Sequence, residues 1–165
     1  LQVLLSELDS LNLDVVLVNT PPTLEHDAPW LTHLLDEQPV SLVGTPQRIS
    51  PGADASALLS EQPLILPSAN SSIRGNLDAW LDRAGIVPHV VAEVDDMAMI
   101  RLLTREDFGI AVVPSIVVRD ELESGRLVQV EDFRAIRETF YAITLKRRFN
   151  NPFVRTLIDA HGSAA

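Results

Sequence analysis

The chain has 165 residues, enough to bury a core, and its 46% hydrophobic content sets it apart from disordered sequences. No apolar run approaches the roughly 20 residues of a membrane span, and the absence of cysteine excludes disulfides, thiolate metal sites and a cysteine nucleophile. A net charge of −10 repels phosphate backbones, so direct nucleic-acid binding is not expected of this stretch.

"LQVLLSEL" places Leu1, Leu4, Leu5, Leu8 and Leu11 at helical spacing, and "LDVVLVN" (13–19) reads as a buried strand. Neither has the basic start of a signal peptide. The chain opens on leucine, so it is read as a segment of a longer protein, and the absence of cysteine fits a reducing cytoplasm. Pro21 and Pro22 stop the strand in a loop. "LTHLLDE" and "PVSLVG" have the length of strands. Breakers in "TPQRISPGADASALLSEQ" precede a short helical turn, and "PLIL" is a further buried strand.

Next, Ile73, Leu77, Trp80, Leu81 and Ala84 fall on one face of a helix. Asn70 or Ser71 can cap it, and Gly85 suits the left-handed residue that ends it. "HVVAEV" (89–94) is a strand. Asp95 or Asp96 caps "MAMIRLLTRE", and "IAVVP" is a strand. Ser115 is expected to cap "IVVRDELES", with Gly125 ending it and "LVQV" following. "FYAITLKRR" is the closing strand. A last helix has Asn151 as its cap and Pro152 at its first position, where proline is favoured. Strands and helices alternate, and the strands are Val/Ile/Leu runs. That pattern belongs to an α/β fold with a parallel sheet covered by helices on both faces.

Catalytic signatures are missing: there is no nucleophile elbow, phosphate loop, dinucleotide fingerprint or zinc helix, and no cofactor is implied. Glu25, His26, Asp27 and His33 gather in one stretch, which a solvated loop explains. His89 and His161 lie apart from them. Lys146, Arg147 and Arg148 read as a solvated strand end. Glu93, Asp95 and Asp96 form the sharpest acidic cluster, explained by capping and the positive end of a helix dipole. Asp95 also stands where open α/β sheets gather ligands, beyond the carboxyl ends of strands. Ser68, Asn70, Ser71 and Ser72 stand at a similar junction. Capping accounts for one of the four. Together, with amides of the helix start, they suit a carboxylate or similar small polar ligand.

Three stretches, in order, resemble the effector-binding domain of LysR-type transcriptional regulators: "LILPSANSSIRGNLDAWLDRAGIVPHVVAEVDD", "GIAVVPSIVVRDELESGRLVQV", and the closing strand with "NPFVRTLIDAHG". "LDAWLDRAGIVPHVVAEVDD" and "ETFYAITLKRRFNNP" are similar to the sodium/proton-antiporter-gene activators of that family. The resemblance implies two Rossmann-like lobes of the type II periplasmic-binding-protein kind, joined by two crossover segments, with a small molecule or ion in the cleft. Lobe one would be 1–62 with 141–165, and lobe two 63–140. Ser68, Asn70, Ser71 and Ser72 would form one cleft wall, with Asn19, Thr20 and Pro114 near its hinge or rim.

The same resemblance implies a homodimer or homotetramer built from antiparallel dimers, with Leu77 or Trp80 as interface candidates. It puts DNA contact in a helix-turn-helix outside this sequence, together with the first strand of lobe one, and implies no membrane association. Extended to the signal itself, it would make sodium or lithium the signal and Glu93, Asp95 and Asp96 the oxygen ligands for that hard cation. A solute-binding protein of a transport system is the alternative with the same fold class. An upstream signal peptide or a basic helix-turn-helix separates the two.

Overall fold

The computed structural model of the protein describes residues 1–21, 29–130, 136–146 and 151–161. In chain order its elements are α1 (Gln2–Asp9), β1 (Val16–Val18), β2 (Trp30–Gly44), α2 (Ala55–Glu61), β3 (Pro63–Pro67), α3 (Ser72–Ala84), β4 (His89–Val94), α4 (Met97–Arg105), β5 (Ile110–Pro114), a 3₁₀ turn (Ser115–Val118), α5 (Arg119–Glu123), β6 (Val128–Val130), β7 (Arg137–Leu145) and α6 (Pro152–His161). They form two compact units, Leu1–Glu37 with Thr139–Ala165, and Gln38–Glu138. These divisions differ from the lobes expected from the resemblance. Residues 38–62 belong with the second unit, because Val40 to Val43 pair with β5 and Leu58 and Leu59 lie in that unit's core.

In the first unit β1 pairs antiparallel with β7, Val16 opposite Ile143. Leu5 and Leu8 of α1 close a small core over Val16 and Ile143. The remaining leucines of the helical pattern do not share it, since Leu1, Leu4 and Leu11 are exposed and Leu11 has a positive φ of 65° past the helix end. "LTHLLDE" and "PVSLVG", expected as separate strands, are one strand, β2, that carries the chain into the second unit. Pro39 does not break it. An internal proline lacks only the N–H that a strand can do without at one position. Asn151 caps α6 as expected, its Oδ1 accepting from the Phe153 N–H at 3.0 Å.

The second unit is built on a mixed sheet. β3 lies between β4 and β5, parallel to both, while β2 runs antiparallel to β5 and β6. The uniformly parallel sheet expected from the apolar runs is thus corrected: a strand buried on both faces reads the same in either direction. Leu58, Leu59, Ile73, Leu77 and Leu81 from α2 and α3 cover one face. Ile100 of α4 and Val118 cover the other, packing on Ile65, Ala111 and Val113. Burying each such side chain contributes about 1.5–3 kcal/mol before entropy is counted. Gly109 tolerates no side chain, for a Cβ there would sit 2.5 Å from the Pro63 carbonyl oxygen.

The turn after β2 is tied to the end of α4. Asp107, at a positive φ of 62°, accepts from the Thr45 hydroxyl at 2.5 Å and from Arg48 Nε at 2.8 Å. The Thr45 hydrogen bond, with Arg48 adding and burial opposing, holds this carboxyl below the ordinary aspartate range.

Candidate functional site

β3, β4 and β5 are parallel, so their carboxyl ends and the turns that follow share one edge of the second unit's sheet. Pro67 ends β3, Val94 ends β4, and Pro114 ends β5. In a sheet of this kind that edge is where strand-to-helix turns leave polar groups facing outward.

The Ser68–Ser72 turn is fastened on both sides. The Ser68 N–H donates to the Val94 carbonyl at 2.9 Å, and the Ser68 hydroxyl donates to Asp95 Oδ1 at 2.6 Å. Ser71, not Asn70, is the cap of α3: its Oγ accepts from the Ile73 N–H at a long 3.3 Å. Ser72 is the first helical residue, and its hydroxyl donates to Glu138 Oε2 at 2.5 Å. Asn70 is exposed at the tip. Arg74, one turn into α3, binds Asp78 with Nε and the Pro67 carbonyl with Nη1, which also stands 3.4 Å from Glu93. The hydrogen bond to Asp78 raises the guanidinium pKa further, with Glu93 adding and burial opposing.

The acidic cluster divides its tasks. Asp96 caps α4, its Oδ1 accepting from Ala98 at 2.6 Å and from Met99 at 3.2 Å. Asp95 takes the Ser68 hydroxyl and Glu93 takes Arg74. Among the described residues no three Asp, Glu or His side chains come together as metal ligands.

At the end of β5, Pro114 is buried and opposite Val40 of β2. Ser115 was expected to cap the following helix and does not. The chain turns first through a 3₁₀ segment that has no side-chain cap. The Ser115 hydroxyl instead donates to Gln129 Oε1 at 3.1 Å and lies 3.0 Å from the Ser41 hydroxyl. Ser115 as part of this polar chain, with Ser41 and Gln129, was not read from the sequence, nor was Glu138. Glu138 had a visible sign, a charged residue inside the apolar strand "RETFYAITL". Ser41 and Gln129 had none, because strand pairing alone brings them together.

Asn19 and Thr20 lie in the first unit, both exposed, just past the end of β1. His33 is there too, 2.9 Å from the Thr144 hydroxyl. Glu25, His26, Asp27, Arg147 and Arg148 lie outside the described residues. In the second unit a cavity of about 480 Å³ opens between the turn after β2 and β6, lined by Pro46, Ile49, Pro51, Ala53, Val128 and Val130. None of the candidate residues lines it.

The model of the LysR substrate binding domain matches residues 2–164. The chain belongs to that family. It is 23% identical over 166 residues to the transcriptional activator protein NhaR of Escherichia coli strain K12, and equally so to NhaR of Shigella flexneri, covering 99% of this chain. The chain spans 54% of the length of these relatives.

Solved structures of LysR regulatory domains share the fold. The apo regulatory domain of HypT from Salmonella typhimurium superimposes with a TM-score of 0.77 at 21% identity, over 98% of this chain and 78% of that one. The effector binding domain of QuiR in complex with shikimate gives 0.70 at 16% identity, over 97% and 77%. The regulatory domain of CcmR from Synechocystis PCC6803 in complex with 2-PG gives 0.73 at 15% identity, over 96% and 78%. The LysR substrate binding domain thus has here the type II periplasmic-binding-protein fold of its relatives. Among the described residues no helix is long and apolar enough to cross a membrane.

Proposed function

We propose that this LysR substrate binding domain is the sensing part of a DNA-binding transcription regulator. A small effector meets the second unit through Ser68, Asn70, Ser71, Ser72, Asp95 and the Pro114 turn. Asn19 and Thr20 are candidates on the first unit. DNA is reached through another part of the protein, which works in the cytoplasm as a homodimer or homotetramer. The observation that supports this most directly is the fastened polar turn at the carboxyl edge of β3, in a chain that matches the family over residues 2–164.

The turn can bind without transforming. It offers hydroxyls, an amide and carboxylates. Binding there would act by stabilising whichever arrangement of the regulator holds the effector better.

The test is a thermal-shift screen of the full-length regulator against a metabolite library, followed by footprinting on the DNA upstream of its gene. A ligand at about 100 times its Kd adds about 2.7 kcal/mol of stability. The expected result is a ligand that raises the melting temperature and changes the footprint. A full-length protein that binds no DNA, or whose footprint ignores every stabilising ligand, contradicts the reading.

A further inference from the structure

The cavity of about 480 Å³ beside β6 shares no residue with the polar turn, and the sequence fixes its walls before any ligand arrives. Two proline-led turns make one side. In Thr45–Arg48 the Arg48 N–H donates to the Thr45 carbonyl at 3.0 Å, with Pro46 second in the turn. In Ser50–Ala53 the Ala53 N–H donates to the Ser50 carbonyl at 3.1 Å, with Pro51 second and Gly52 third at a φ of 77°. That is a type II turn, in which proline pre-sets one residue and glycine takes the left-handed one. Val128 and Val130 make the other side, held by the pairing of β6 with Gly44 and Leu42. Buried Ile49 ties both sides to the core, where Ala53, Val128 and Val130 also pack. Walls fixed in this way leave little to be ordered when a ligand binds.

None of the lining residues is charged. The charged neighbours in the same stretch are engaged elsewhere: Arg48 by Asp107 and Gln62, and Asp54 by capping α2, where it accepts from the Ala57 N–H at 2.9 Å. Strand alternation sends the Gln129 side chain to the face opposite Val128 and Val130, where it accepts from the Ser115 hydroxyl. Ser50, exposed at the rim, supplies the other polar side chain. A charged ligand here would lose hydration and gain no partner, whereas an apolar one would leave water for apolar walls. Size narrows the occupant further. A dry cavity of about 150 Å³ holds one benzene ring, and small-molecule pockets begin near about 300 Å³. We propose that this cavity is a small-molecule site in its own right, for an uncharged, largely apolar molecule of one or two fused rings. A single hydroxyl or amide on the ligand's outer end would meet Ser50. The site stands independently of whether the polar turn holds the effector.

Three naphthalene probes test this on the full-length protein by titration calorimetry at neutral pH: uncharged 2-naphthol, anionic 2-naphthoate and cationic 2-naphthylmethylammonium. The expected result is 2-naphthol bound with a Kd below about 1 mM, and about tenfold or more tightly than either charged probe. Val130→Phe, which fills the cavity, should weaken 2-naphthol about tenfold or more. Pro51→Glu, which puts a carboxylate on its exposed wall, should weaken it about fivefold or more. Pro51 is exposed, so Pro51→Glu keeps the test in force if Val130→Phe disturbs the fold, and thermal melts check both. A charged probe binding as tightly as 2-naphthol, or no 2-naphthol binding at about 1 mM, overturns the proposal. Affinity unchanged in Pro51→Glu places the probe elsewhere and overturns it too. So does a change of oligomeric state in light scattering of Pro51→Glu, which would give the cavity to a second copy of the chain.

Discussion

The Ser68 hydroxyl donates to Asp95 Oδ1 at 2.6 Å, joining the turn after β3 to the turn after β4. Two adjacent parallel strands are thereby tied at their carboxyl ends by side chains as well as by the Ser68 N–H to Val94 carbonyl bond. The pair is a unit, and its two members should be coupled. Ser68→Ala and Asp95→Ala are each expected to cost about 0.5–1.5 kcal/mol, and the double variant less than their sum. Denaturant titration of the four proteins checks this. Strict additivity would mean the bond contributes nothing.

Asp95 and Asp96 are adjacent in sequence and differ in task. Asp96 accepts from two amides of the first turn of α4, the arrangement of a helix cap. Asp96→Ala should cost about 1 kcal/mol, and Asp96→Asn or Asp96→Ser much less. Asp95→Asn keeps an acceptor for Ser68 and should leave stability nearly unchanged. Equal losses for Asp95→Asn and Asp96→Ala in thermal melts would contradict this division.

Much of this arrangement was legible in the sequence, and the misses have physical reasons. The α3 pattern was readable because Ile73, Leu77 and Leu81 obey one period, and all three are buried. Trp80 packs on that core only in part, and Ala84 is exposed at the helix end. Leu77 therefore serves the core, not an interface. The direction of β2 was invisible, since alternation and apolar length carry no sign of which way a strand runs. The joining of "LTHLLDE" to "PVSLVG" was hidden by Pro39, which reads as a breaker. At the site, Ser68 through Ser72 announced a polar turn but not its hydrogen-bond direction. That direction depends on Asp95 and Glu138, 27 and 66 residues further along from their partners.

The homodimer or homotetramer proposed above should depend on α1 rather than on α3. Val3 is 75% and Leu4 44% exposed, whereas Leu77 is fully buried. Isolated exposed apolar residues are ordinary, but Val3 and Leu4 lie on one short helix beside Leu1, which is 48% exposed, and a second copy could cover that end of α1. Val3→Glu with Leu4→Glu should shift the full-length protein toward monomer in light scattering, with the melting temperature of each monomer little changed. Leu77→Ala should instead cost about 2–5 kcal/mol through a core cavity. An oligomer unaffected by the α1 variants would remove α1 from the interface.

Asp107 makes the acid response of the second unit predictable. Its carboxyl is held below the ordinary aspartate value by the Thr45 hydroxyl above all, with burial opposing and Arg48 adding to the lowering. A depressed folded pKa means that the unfolded chain takes up the proton first as the pH falls. The contribution is therefore complete above the ordinary value of about 3.9 and is lost as the pH drops through the lower folded value. The side chain is 47% exposed, so salt screens the Arg48 part and the total effect is modest. Asp107→Asn is the proper comparison, because asparagine tolerates the positive φ at this position and keeps an acceptor for Thr45. At neutral pH the variant should melt at a lower temperature than the wild type. The gap should close as the pH falls through the lowered folded value, below which both residues are neutral. Raising salt at neutral pH should narrow it in part, leaving the Thr45 component. A gap that stays constant from neutral pH into acid would show that Asp107 acts through its backbone conformation and not through its charge.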